Sequence, residues 1–367
     1  MNWPEVSLGE ICEFKYGKSL PAKQRVPGQV AVYGSNGQVG THESSISSGV
    51  TIVVGRKGSL GEVHLAPGSC WPIDTTYFID SSATEADLHW LYHRLKGLNL
   101  TSLNRAAAVP GLNREDAYRQ RLLLPPLPEQ RRIAAILDHA DALRAKRRES
   151  IARLDELSQS IFHDMFSTLE WNAKFDSIIS AGPTNGLYRP ASDYGAGVPI
   201  LRIDGFASGA VLSDSHQWKR LRADREEIQQ YSLVAGDLVV NRVNALSHLG
   251  KSALISAISE PSVYESNMMR VRIDANRANS DFVLAWLQTR RAKQQILRKA
   301  KKAINQASIN QADVKSLVLP LPPLELQYRF AERVEAVRVE RAASERFNAS
   351  ADDLFYSLQS RAFRGEL

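Results

Sequence analysis

Cysteine, methionine and long apolar runs are what this chain has least of: two Cys and four Met in 367 residues. Cys12 and Cys70 are too few for a disulfide framework and have no metal-ligand neighbours at the usual spacing, so neither a stapled scaffold nor a zinc module is expected. No stretch reaches the roughly 20 apolar residues that a membrane helix needs. The opening MNWPEVSLGEICEF has neither a basic leader nor an apolar core, and a soluble, cytoplasmic protein is expected. Catalytic signatures are missing too. GKS occurs at Gly17–Ser19 and Gly250–Ser252, but the glycine that a phosphate loop places five residues earlier is replaced by Cys12 and Ala245. His89 and His93 are spaced for one helix face, yet the WLY between them lacks the glutamate of a zinc protease, which leaves a helix-surface pair. Gly195 and Gly197 are too short a signal for a dinucleotide or methyl-donor pocket, and no endonuclease or amino-methylation motif is visible. No metal or cofactor is therefore expected in this chain.

What is present is an internal duplication. Leu112–Phe166 and Ile309–Phe363 align without a gap at an offset of 197 residues, with roughly 17 of about 55 pairs identical where chance gives about three. LNRED opposes INQAD, LPPLPEQ (124–130) opposes LPPLELQ (321–327), and LDELSQSIFHDMF opposes ADDLFYSLQSRAF. Each copy reads as a strand, a Pro-Pro stop and a long helix, because proline cannot donate into a ladder but fits a helix's first turn. A seven-residue pattern runs through both helices. The expected seam is Ile133, Ile136, Ala140, Leu143, Arg147, Ser150, Leu154, Leu157, Ile161 and Asp164 in one. In the other it is Phe330, Arg333, Val337, Glu340, Ser344, Phe347, Ala351, Leu354, Leu358 and Arg361, with Val334 and Ala362 alongside. Rods of about 38 residues, near 57 Å at 1.5 Å per residue, need a partner, and the obvious partner is the other copy.

The intervening segments diverge. WPEVSLGEI (3–11) and WNAKFDSI (171–178) look like matching starts, although the match is weak, and the second segment is about 30 residues longer, with 134 positions from Phe175 to Ile309 against 104 from Leu8 to Leu112. Both are rich in short apolar runs broken by Asn-Gly and Gly-x-x-Gly turns, followed by helical sequence in ADLHWLYHRLKGL and DFVLAWLQTRRAKQQILRKAKKA, which reads as two α+β domains. The turn GRKG places Arg56 and Lys57 between glycines, where backbone can approach a phosphate, and NRVNALSHLGK offers Arg242, Asn244, His248 and Lys251 in the equivalent position. A formal charge of +6 and a pI of 9.2 suit nucleic acid without demanding it.

The order of parts, with the paired PPL-x-x-Q helices, SLGEICEFKYGKSL, GRKGSLG and SRAFRGEL, closely resembles the specificity subunit of type I restriction-modification enzymes over essentially the whole chain. The resemblance implies an α+β fold with a pseudo-twofold repeat: target-recognition domains at 1–124 and 168–321, separated by antiparallel coiled-coil helices at 125–167 and 322–367. It implies a non-catalytic subunit in which each domain reads half of a bipartite, asymmetric DNA site. Two methyltransferase subunits using S-adenosylmethionine and restriction-translocase subunits using ATP and Mg would be its partners. Two departures from the pattern are Leu326, at the position of Glu129, and Arg147 in the middle of a heptad.

On that reading Lys and Arg hold phosphates and forked or amide side chains read base edges. Expected DNA contacts in the first domain are Ser35, Asn36, Arg56, Lys57, Ser59, Thr75, Thr76, Tyr77 and Arg105. In the second they are Arg189, Arg202, Arg242, Asn244, His248, Lys251, Asn267, Lys301 and Lys302. Plain structural roles compete with these: turn geometry for Asn36, a core ring for Tyr77, a solvated helix face for Arg298–Lys302. Two other classes of function are a nucleotide-dependent nuclease built on a GKS turn and a coiled-coil adaptor that binds no DNA.

Overall fold

The repeated LPPL-x-x-Q motif starts two helices of matched length, Leu127–Phe166 and Leu324–Arg364, and its glutamine explains why the motif is used twice. In this computed structural model, which describes residues 3–103, 111–207, 209–303 and 306–367, Gln130 and Gln327 are both buried. Each side-chain Nε2 donates back to the first motif proline, Pro125 O at 2.9 Å and Pro322 O at 2.8 Å. Each Oε1 accepts a backbone N–H from the domain, Asp87 at 2.8 Å and Asn279 at 2.9 Å. Asp87 and Asn279 are the N-caps of the domain helices Leu88–Gly97 and Ser280–Gln288, their carboxylate or amide oxygen accepting from the first-turn amides. One buried amide thus locks the start of a long helix to the start of a domain helix, twice.

The rest of the repeat follows the same frame. Asn113 and Asn310 cap the short helices Arg114–Tyr118 and Gln311–Lys315. The strands after them, Arg121–Leu123 and Val318–Leu319, pair antiparallel with Glu5–Ser7 and Ala173–Lys174. Leu8 N and Phe175 N then donate to Gln120 O and Leu317 O at 2.9 and 2.8 Å, so the weakly matching starts are structural equivalents.

The chain divides into two units, Met1–Arg148 with Arg346–Leu367, and Glu149–Glu345. In the first, Thr51–Gly55 is an inner strand of a four-stranded antiparallel sheet with Lys15–Tyr16, Thr76–Ile79 and Val63–Ala66, and a three-stranded sheet is built around Val30–Gly34. Its main core joins Ile52, Val54 and Ile79 to Trp90 and Leu91 of the domain helix and to Ile133, Leu137, Ala362 and Phe363 of the long helices. In the second unit a six-stranded mixed sheet has Leu238–Asn241 and Met268–Ile273 inside it, and Phe162, Phe166, Phe282 and Phe330 form an aromatic cluster with centroids 5.1–6.3 Å apart where both long helices meet the domain. Within each unit the long helices run antiparallel. Arg147 lies 4.4 Å from the Phe347 ring and Arg144 bonds Asp352 in the first, and Phe162 packs on Phe330 in the second. The fold is α+β with an internal repeat.

The expected seam is half right. Ile133 and its mate Phe330 are buried, and Ala140, Arg147, Leu154 and Ile161, with their mates Val337, Ser344, Ala351 and Leu358, are half-buried. Of the alternate positions Ile136 is half-buried, but Leu143, Leu157, Phe347 and Leu354 are exposed, the last two at 60% and 69%. The positions after Ile136, Leu143, Leu354 and Arg361 take their place, with Leu137, Arg144, Phe355 and Ala362 buried. Each end of a long helix packs on a domain as well as on the other helix, and this second contact widens the buried face past a two-helix seam. Leu326, in place of the Glu129 carboxylate that pairs with Arg132, packs against the second unit's core. The expected single helical run after Asn279 is broken at Thr289, whose extended backbone (ψ 149°) ends one helix and whose hydroxyl accepts from Ala292 N to start the next, Arg290–Lys299. Both cysteines are buried free thiols, and burial pushes Cys12 up to about 12, consistent with an inert packing role.

Candidate functional site

An inner strand of each domain ends at an arginine. Thr51–Gly55 runs into Arg56, and Leu238–Asn241 into Arg242. Arg56 N and Lys57 N both donate to Thr75 O at 2.9 and 3.1 Å, and Arg242 N and Val243 N both donate to Asn267 O at 2.8 and 3.3 Å. The arginine carbonyl then accepts from the first residue of the repeat, Leu112 N onto Arg56 O and Ile309 N onto Arg242 O, each at 2.9 Å. Behind it Gly61 N donates to Gly55 O and Gly250 N to Asn241 O, and both glycines hold φ +73°, a value that costs other residues strain. The two arginines therefore occupy one backbone frame, stapled on three sides. This frame also divides the extra residues of the second domain: Phe175 to Arg242 is 67 positions against 48 from Leu8 to Arg56, and Arg242 to Ile309 is 67 against 56 from Arg56 to Leu112.

In the first domain the frame opens on a groove of about 430 Å³ lined by Tyr16, Arg56, Lys57, Tyr77 and Arg114. The Arg56 guanidinium stacks 4.9 Å from the Tyr16 ring and 5.8 Å from Tyr77, and Arg114 lies 5.5 Å from Tyr16. Arg56 also donates to Asp74 O at 3.3 Å. Rings that hold guanidinium planes in place leave forked donors presented at low entropy cost, suited to a phosphate or a base edge. In the second domain the strand Val243–Asn244 pairs with Ala307–Ser308, which pairs with Lys301–Lys302. That small sheet brings Arg242, Asn244, Lys301 and Lys302 together, and puts the two lysines on an exposed strand rather than on the helix face that the RKAKK run suggested.

Other expected contacts fare unevenly. Asn36 is exposed and Ser35 half-buried, at the two-residue turn between Val30–Gly34 and Gly37–His42, so turn geometry accounts for both. Ser59 is half-buried in the loop after Lys57. Thr76 is wholly buried with its hydroxyl on Ile73 O at 2.7 Å, and it is not available to a ligand. Tyr77 is a core ring whose hydroxyl donates to Leu112 O at 3.2 Å, burial raises its pKa, and it forms part of the groove lining. Thr75 and Asn267 contribute backbone carbonyls to the arginine frame. Arg189 is held by Glu227 and by Asp193, and Arg202 lies 3.7 Å from Asp204 and 3.9 Å from Glu265, so these two are committed to carboxylates. His248 is exposed beside Ser247, and the Lys251 ammonium sits 4.8 Å from the Phe206 ring. Arg105 lies outside the described residues. Sequence reasoning missed Tyr16 and Arg114. Arg114 left one trace, since it faces Gln311 across the repeat inside an otherwise matched cap.

The His89–His93 pair is not a surface pair. His93 is 1% exposed, and both rings reach one carboxylate, His89 Nδ1 to Asp138 Oδ2 and His93 Nε2 to Asp138 Oδ1, each at 2.7 Å. Among the described residues no cluster of three or more His, Cys, Asp or Glu is arranged to hold a metal, and no helix is long and apolar enough to cross a membrane.

The family model for the type I restriction modification DNA specificity domain matches residues 1–155 and 167–344. This chain belongs to that family. It is 25% identical over 308 residues to the type I restriction enzyme EcoKI specificity subunit of Escherichia coli K12, covering 76% of this chain and 64% of that one. It is 30% identical over 149 residues to a putative MjaX specificity subunit of Methanocaldococcus jannaschii, covering 40% of this chain and 35% of that one. The matched stretches thus span less than two thirds of these relatives. In fold it is similar to the crystal structure of a type I restriction-modification S subunit from M. genitalium, with a TM-score of 0.59 at 16% identity over 99% of this chain and 96% of that one. A chain from a type I R-M system studied for complex assembly and conformational transition gives a TM-score of 0.57 at 18% identity, over 100% of this chain and 98% of that one. The two matched stretches of the family model carry one copy of the arginine frame each.

Proposed function

We propose that this chain is the DNA-recognition subunit of a type I restriction-modification complex, with target-recognition domains at 1–124 and 168–321 that each read half of a bipartite site. The observation that carries the reading is the arginine frame, built alike in both domains while the side chains around it differ. Arg56, Lys57, Arg114 and Tyr16 form the contact surface of the first domain, and Arg242, Asn244, Lys301 and Lys302 that of the second. A fixed frame gives register on the duplex, and the varied surround gives each domain its own sequence. The chain carries out no chemistry itself. Methyltransferase subunits using S-adenosylmethionine, and restriction-translocase subunits using ATP and Mg, are its partners. Exposed Leu143, Phe347 and Leu354 on the long helices support docking there, because apolar side chains left outside a buried seam mark interaction surfaces.

The test is methylated-site mapping after exchanging residues 1–111 for the same segment of a relative, expressed with its methyltransferase. One half of the recognised site changes and the other stays. A simultaneous change in both halves, or a gel shift with no salt dependence, overturns the reading.

A further inference from the structure

The equivalence of Arg56 and Arg242 extends past the backbone to the guanidinium. Arg56 Nη1 donates to Asp74 O at 3.3 Å and Arg242 Nη1 to Ser266 O at 3.1 Å. Each of these carbonyls belongs to the residue just before the one that accepts the frame's amides, Thr75 or Asn267. Both arginines are half-buried. Among the described residues neither has a carboxylate within ion-pair distance, unlike Arg189 and Arg202. One uncompensated charge is therefore held in the same way in both domains, with most of its five donors unspent.

The side chains around that guanidinium do not repeat. Counted from the frame, Tyr77 stands where Met269 does, and their cross-strand neighbours are Tyr16 and Asn185. Lys57 stands where Val243 does. Two residues beyond the amide that staples the arginine carbonyl, the repeat puts Arg114 in one domain and Gln311 in the other, each the first residue of a helix capped by an asparagine. Arg114 shares the Tyr16 ring with Arg56, and its Nε lies 3.8 Å from the exposed Glu115 carboxylate, a pair that solvent keeps weak. Gln311 is exposed. Both are forked side chains that meet a purine edge with two hydrogen bonds, arginine at O6 and N7 of guanine, glutamine at N6 and N7 of adenine.

We propose, resting on the DNA-recognition reading, that Arg56 and Arg242 each hold a backbone phosphate, and that Arg114 and Gln311 read the base at the equivalent step of each half-site, guanine in the first and adenine in the second. A chain that reads two different half-sites with one frame used twice meets what the half-sites share with what it repeats, and what differs between them with what it varies. Phosphates are alike in every sequence, so the repeated guanidinium belongs to them. Base edges are not alike, so the position where a fork for guanine replaces a fork for adenine belongs to the bases.

The test is methylated-site mapping with the full chain and its methyltransferase, followed by gel shifts of the same complex on the mapped duplex. Arg114→Gln should turn one guanine of the first half-site into adenine, and Gln311→Arg one adenine of the second into guanine, with every other position unchanged. Arg114→Ala and Gln311→Ala should each relax that one position. Arg56→Ala and Arg242→Ala should leave the mapped sequence as it is, weaken binding about tenfold on every site and reduce the salt slope by about one. A scan of uncharged methylphosphonates through the first half-site should find one position that weakens the wild type and leaves Arg56→Ala unmoved. A mapped site unaltered by both substitutions at Arg114, or a base preference altered by Arg56→Ala, overturns the division of roles while the DNA reading stands. A wild-type complex that binds no DNA removes that reading and the division with it.

Discussion

The two places where a domain helix meets the long helices share a backbone frame and differ in nearly every filling. In the first unit, His89 and His93 share Asp138, Lys96 faces Asp141, and Phe355 fills the interior over Arg144. In the second, Asp281 stands where His89 does and Glu335 where Asp138 does, both bonded to Arg338 at the position of Asp141, and the interior is open. The polarity of the joint is inverted, from histidines on the domain and a carboxylate on the helix to a carboxylate on the domain and an arginine on the helix. The buried side-chain oxygens of Gln130 and Gln327, accepting from the backbone amides of Asp87 and Asn279, preserve geometry, and side chains above them are free to trade packing for a cavity or a titratable contact for a permanent one.

The largest effect expected from breaking this comparison is at Phe355. Phe355→Ala should cost about 3–5 kcal/mol in denaturant unfolding, because it empties a filled interior, whereas Ser158→Ala, at the same position of the repeat and beside the second unit's cavity of about 520 Å³, should stay within about 0.5 kcal/mol. Equal costs at the two positions would mean that the void is not where the repeat places it. Next are the glutamines. Gln130→Ala and Gln327→Ala each strand a buried N–H and should each destabilise by about 1–3 kcal/mol; a large loss at one and none at the other would break the shared frame. In DNA binding, Arg56→Ala should lose about 1–3 kcal/mol at a single base position if the guanidinium reads a base, or weaken all sequences alike with a smaller salt slope if it holds a phosphate. Arg242→Ala should act on the other half-site only. Gel shifts against methylation-mapped sites decide this, and unchanged affinity removes either arginine from the interface.

The smallest effect is pH dependence. Burial holds the His93 imidazole below its ordinary value of 6.5, against the opposing pull of Asp138 and Asp141, so the folded ring is neutral where the unfolded one begins to take a proton. The unfolded chain then binds more protons, and stability contributed by His93 is present above that value and lost as the pH falls through the folded pKa. Melting from about pH 8 down to about pH 5.5 should show an acid-side decline that His93→Gln flattens. Ala285, as far past its helix cap as His93 is past its own, offers no counterpart in the second unit. A decline unchanged by His93→Gln would place its origin elsewhere.

Much of the architecture is written locally. Pro-Pro stops and a gapless offset of 197 residues are short-range or self-comparing signals, and they located both long helices and paired LNRED with INQAD, where the caps Asn113 and Asn310 lie, while the turns GRKG and NRVNALSHLGK put Arg56 and Arg242 in equivalent positions. The seam was legible only in part. A seven-residue repeat names one inward position, but the second depends on what else packs on the rod, and the domains drew Arg144 and Phe355 inward in place of Leu143 and Leu354. Thr76 and Tyr77 read as candidate contacts because sequence does not say which side of a buried strand faces a groove, and their burial followed from the pairing of Thr76–Ile79 with Thr51–Gly55.

The sequence by itself determined that one unit is used twice, that rigid helices follow each domain, and that the domains diverge, because periodicity, turn chemistry and self-similarity are properties of neighbours along the chain. Tertiary structure alone decided that Tyr16 and Arg114 join Arg56, that two histidines share one carboxylate, and that one joint is filled and the other hollow. Those outcomes rest on side chains far apart in sequence: Tyr16 and Arg114 meet across 98 positions, and Arg144 meets Phe355 across 211. Only the folded frame fixes whether such residues touch, and only the volume left between them decides whether a cavity forms.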